Sequence, residues 1–85
     1  MISDTIFEMT ISLRRGDESI SNILKETISE IEEYLILFPE KDEVYSGDLR
    51  VRIRRFVDYL KSWEGDIPSL ISEATKIKDE LDKCP

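Results

Sequence analysis

An all-α fold, a small up-down four-helix bundle, is predicted by three features of this 85-residue sequence. Apolar residues recur in steps of three and four along four separate stretches. Three short breaks, Arg15-Gly16-Asp17, Pro39 through Gly47 and Glu64-Gly65-Asp66, part those stretches. Only 3 Gly and 3 Pro stand beside 36% charged residues, a composition suited to helices with solvated faces. No repeat, low-complexity tract or long linker divides the chain, so residues 1–85 are read as one helical domain.

The first stretch admits two readings. Phe7, Met9, Ile11 and Leu13 alternate with polar residues as a half-buried strand would. Ile2, Ile6, Met9 and Leu13 also step by four, three and four, with Ser3 as N-cap, Arg14 and Arg15 in the last turn and Gly16 as terminator. Helix is preferred because a strand needs a neighbour and no other stretch offers one. A strand over 6–14 survives only if it pairs across a dimer.

The second stretch reads as helix over 18–38. Asp17 is its expected N-cap, Glu18 faces the positive helix end, and Ile20, Leu24, Ile28, Ile31, Leu35 and Phe38 make one stripe. Pro39 ends it by removing a backbone donor and by pushing Phe38 out of helical geometry. The third helix is placed at about 48–64. Its stripe is Leu49, Ile53, Phe56, Leu60 and Trp63, widened by Val57, with Ser46 or Asp48 as cap and Gly65 as terminator. The fourth is placed at about 67–83, with Asp66 as N-cap, Pro68 in the first turn and a stripe of Leu70, Ala74, Ile77, Leu81 and Cys84. Four short helices with one apolar stripe each bury those stripes by packing together.

Composition removes several function classes. Histidine is absent, which eliminates imidazole bases, Ser-His-Asp and Cys-His systems and His-containing metal sites. A single cysteine, Cys84, permits neither an internal disulfide nor a cysteine metal cluster, and nothing near it in sequence would activate its thiol. No phosphate loop, nucleophile elbow or EF-hand spacing occurs, so neither enzymatic activity nor a cofactor is expected. With 12 basic against 19 acidic residues the net charge is -7, which disfavours nucleic acid and anionic membranes as partners. The longest apolar run, Tyr34 to Phe38, is five residues, far short of the roughly 20 that span a bilayer. Met1-Ile2-Ser3-Asp4 lacks the basic start of a secretory signal, and with no disulfide framework a reducing cytoplasm is the expected compartment.

Charge is distributed unevenly. Residues 17–43 hold nine acidic side chains against Lys25 and Lys41. Within that span Glu26, Glu30 and Glu33 share one helix face, followed by Glu40, Asp42 and Glu43 in the loop. Carboxylates on one helix diverge and do not converge on a point, which argues against a metal site and for either a solvated face or docking to Lys and Arg of a partner. Arg50, Arg52, Arg54 and Arg55 form two pairs flanking the third stripe. They are read chiefly as neutralising the acidic second helix and laying their stems over the core. Five consecutive apolar residues exceed one helical turn, so Ile36 and Leu37 leave the core stripe unless the N-terminal segment or the 39–47 loop covers them. Tyr34 beside them is a residue type favoured at interfaces.

These features predict a non-enzymatic acidic module that masks a basic surface of a partner protein through Glu26, Glu30, Glu33, Tyr34, Ile36, Leu37, Glu40, Asp42 and Glu43. In size and charge the chain is similar to small inhibitors and immunity proteins of bacterial nuclease toxins, a likeness carried by no motif residue. The alternative is a self-associating structural or adaptor protein whose surplus apolar residues at Ile36 and Leu37 form a homodimer.

Overall fold

The computed structural model describes residues 2–37 and 47–83. Four helices account for most of them: α1 (Ile2–Arg15), α2 (Ile20–Leu37), α3 (Gly47–Lys61) and α4 (Ile67–Asp82). No strand occurs among the described residues. The ambiguous first stretch is therefore helix, and burial follows its 3.6-residue period. Ile2, Ile6, Met9 and Leu13 are buried, while Phe7 is exposed and Ile11 only half-buried.

The helices form a ring in which α1 lies between α2 and α4, α2 packs on α3, and α3 packs on α4. Neighbours run antiparallel. Ser3 at the start of α1 meets Asp82 at the end of α4. Leu60 and Lys61 at the end of α3 line a groove with Ile20 and Leu24 at the start of α2, whereas Arg54 and Val57 lie opposite Leu35 and Ile36 near its end. One core fills the ring, centred on Ile6, Ile31, Ile53 and Leu70, all essentially sealed from water. The buried hydroxyls Thr10 and Thr27 donate to the carbonyls of Phe7 (2.7 Å) and Ile23 (2.8 Å), so neither is left unsatisfied.

Helix ends test the local reading most closely. Gly16 adopts φ +70° and its N–H reaches the Ser12 carbonyl at 3.1 Å, the left-handed stop expected after Arg15. Asp66 caps α4 by accepting the Ser69 N–H at 2.7 Å, with Pro68 in the first turn. Three expectations change. The cap of α2 is Ser19, whose Oγ accepts the Asn22 N–H at 3.2 Å, so Asp17 and Glu18 precede the helix. Ser3 is not a cap: it lies buried inside α1, and its hydroxyl donates to the Asp82 carboxylate. Helix α3 stops at Lys61, before Trp63, and Gly65 (φ +139°) serves the α3–α4 connection, not the helix terminus. Asp48 falls inside α3, while Ser46, Phe38 and Cys84 lie outside the described residues.

The stripe of α2 is rotated from the expected one. Ile23 and Thr27 are buried with Ile31 and Leu35, whereas Ile20, Leu24 and Ile28 are half-buried at the edge facing α3. The rotation follows from α2's place in the ring: it must present one flank to α1 and another to α3.

Two of these end contacts make the stability of the fold respond to pH. Hydrogen bonds from Ser69 hold Asp66 below the usual carboxylate range, and bonds from Lys78 (2.5 Å) and Ser3 do the same for Asp82. The bond to Asp82 raises Lys78 above the usual lysine range. A carboxyl with a depressed folded pKa contributes stability above its unfolded value, about 3.9, and loses it as pH falls through the folded value. Lys78 contributes below about 10.4 and loses that contribution as pH rises through its raised value. Asp66→Asn keeps a capping oxygen but cannot titrate. Thermal melts between pH 5 and pH 2 are therefore expected to show a shallower acid-side loss in this variant than in wild type.

Candidate functional site

The side chains singled out by charge fall on two flanks of α2, not on one patch. Toward α1, Glu26 and Glu30 line the shallow crease between the two helices, and Glu8 of α1 joins them from the other wall. Glu33 is exposed one turn beyond Glu30. Ile23 and Thr27 hold this flank in place, since their burial against α1 turns the positions three residues later to the surface edge. No ion pair is made by Glu8, Glu26, Glu30 or Glu33 among the described residues.

Toward α3 the chemistry is different. Glu32 receives Lys61 at 3.1 Å across the α2–α3 groove. Beyond this pair the groove is lined by Ile36, Arg54, Val57 and Asp58, and on its near side by Ile20, Leu24, Ile28, Leu60 and Trp63. These two parts have volumes of about 290 and 470 Å³. Trp63 is half-buried against the core.

Ile36 and Leu37 are 76% and 64% exposed, so the N-terminal segment does not cover them. Successive residues on a helix diverge by about 100°. Ile36 accordingly lies on the α3 flank, whereas Leu37 stands on the flank of Glu30 and Glu33. Tyr34 packs half-buried against the core. Glu40, Asp42 and Glu43, and the loop invoked as a possible cover, lie outside the described residues.

The arginines of α3 divide between its two sides. Arg52 pairs with Glu80 of α4 and Arg55 borders the α3–α4 groove, whereas Arg54 lines the α2–α3 groove beside the Lys61–Glu32 pair. In that second groove Phe56 stacks on Tyr59 at 6.2 Å, and burial, reinforced by Glu73 and Asp66, raises the Tyr59 hydroxyl above its ordinary pKa. The exposed face of Phe7 is approached by the Lys78 ammonium at 5.5 Å from the ring centre, a cation–π contact across the α1–α4 seam.

Chemically, the α1–α2 flank is an array of carboxylates that no cation pairs among the described residues. Among the described residues no group of three potential ligands is placed to hold a metal ion, and no helix is long and apolar enough to cross a membrane. Glu8 is the member that periodicity did not find, because only the packing of α1 on α2 brings it beside Glu26 and Glu30. Comparison with protein families, curated proteins and solved structures finds no match to this chain.

Proposed function

We propose that the protein is a non-enzymatic acidic binding module that masks a basic surface of a partner protein, in the manner of a small inhibitor or immunity-type protein. The observation that carries this reading is the contrast between the two flanks of α2. Glu32 is engaged by Lys61, while Glu8, Glu26, Glu30 and Glu33 stand together without a cation among the described residues. Four like charges left open on one side favour an incoming cationic surface, because its Lys and Arg supply the partners that the fold does not. The nine acidic residues of 17–43 extend the same field.

Affinity capture with the tagged protein at low salt, followed by mass spectrometry, tests it. A stoichiometric basic protein is expected in the wild-type eluate and is expected to be lost from Glu26→Gln/Glu30→Gln/Glu33→Gln. Recovery unchanged by those substitutions would count against the strip. A second reading, self-association into a homodimer, is favoured by one specific observation: the 76% exposure of Ile36 in the α2–α3 groove, which Ile20, Leu24, Ile28 and Trp63 continue as an apolar surface.

A further inference from the structure

The open flank of α2 that faces away from the acidic strip carries Ser21, Lys25, Ile28, Glu32 and Ile36, spaced by four, three, four and four residues. These positions form one outward row on a helix. They line, with Trp63 and Lys61, the groove between α2 and α3. The row is self-complementary. Lys25 and Glu32 lie seven residues apart, two turns or about 10.5 Å along the axis, on either side of Ile28. We infer that a second copy of this chain docks here through a two-fold, antiparallel α2–α2 contact, placing Lys25 of each copy over Glu32 of the other, whose carboxylate it would share with that copy's own Lys61. The inference rests on the self-association reading and names its surface.

Charge selects both the occupant and its direction. Antiparallel packing about the centre of the row makes two Lys25–Glu32 pairs, whereas parallel packing in register would oppose Lys25 to Lys25 and Glu32 to Glu32. The same axis brings the two half-buried Ile28 side chains together and carries Ile36, 76% exposed in the monomer, toward Ser21 of the other copy. Lys25, Arg54 and Lys61 outnumber Glu32 and Asp58 along this flank, so two chains of net charge -7 approach here with less repulsion than along the α1–α2 flank of Glu8, Glu26 and Glu30. A basic partner is disfavoured there for the same reason. Glu26, Glu30 and Glu33 remain on the outer flank, one strip per copy.

Sedimentation equilibrium at low salt on wild type, Lys25→Glu, Glu32→Lys and the double variant tests the contact, with circular dichroism confirming that helicity is kept. Wild type is expected to dimerise. Lys25→Glu is expected to raise the dimer Kd on the order of tenfold or more, since each change acts twice across the axis. The double variant, which restores opposite charges between the copies, is expected to recover part of that loss, less than all because Glu32→Lys also breaks the pair with Lys61. Ile36→Ser should weaken the dimer, whereas Leu37→Ser, on the other flank, should not. A dimer indifferent to Lys25→Glu and Ile36→Ser would overturn this surface while leaving self-association standing. A wild type that is monomeric at all accessible concentrations would overturn both.

Discussion

Ile53→Ala is expected to lower the stability of the fold by about 2–5 kcal/mol, the range for deleting a buried branched side chain whose cavity cannot fully collapse. Ile53 is fully buried at the middle of α3, between Leu49 and Phe56 or Val57, which are buried as well. A domain of this size has total stability at the lower end of about 5–15 kcal/mol, so the substitution removes a large part of it. In a melt that corresponds to a fall of roughly 10 °C or more. Leu60→Ala, 2% exposed in the next turn but one, is expected to fall in the same range. Val51 lies on the same helix but is 47% exposed, and Val51→Ala should stay within about 0.5 kcal/mol. Urea denaturation of the three variants separates these cases. An Ile53→Ala loss as small as that of Val51→Ala would show that the α3 stripe is not core.

The second large effect is kinetic. Reversing Glu30 and Glu33 to Lys is expected to slow association with a basic partner and to flatten its dependence on salt. A one-sided field of this kind accelerates association by about 10- to 1,000-fold at low ionic strength, and that factor is what the reversal removes. Both side chains are exposed, and Glu30 adjoins Glu8 and Glu26 along the α1–α2 crease. The substitution therefore turns a continuous negative edge into a mixed one without touching the core. Dissociation should change less, because carboxylates at a wet rim act mainly on encounter. Stopped-flow measurements across a salt series resolve the two rates. An association rate indifferent to both salt and the reversal would leave the strip with no role beyond solvation.

Local physics made much of the architecture legible. The steps of three and four place Ile2, Ile6, Met9 and Leu13 on one face of α1, and those are the residues buried there. A glycine free to adopt positive φ marks the end of α1, and an acidic side chain three residues before a free N–H marks the start of α4. Such features depend on a few consecutive residues. Ser19, not the expected Asp17, caps α2, since either side chain can accept such a bond and only the position of the first helical turn distinguishes them.

The sequence by itself determined three amphipathic helices, the breaks between the four stretches and the acidic excess of residues 17–43, while its periodicity left the first stretch open between helix and strand. It could not determine the rotation of α2 within the ring. A stripe of apolar residues is broad enough to tolerate a turn of the helix by half a position or so, and the sequence is nearly as consistent with Ile28 inside as with Ile23. Packing against α1 on one flank and α3 on the other decides it, burying Ile23 and Thr27 and leaving Ile20, Leu24 and Ile28 at a groove edge. The same rotation brings Glu8 beside Glu26 and Glu30, turns Glu32 to Lys61, and sends Ile36 and Leu37 to opposite flanks. Those relations join residues that are distant in the chain or adjacent but divergent in space, and only the close packing of neighbouring helices sets them.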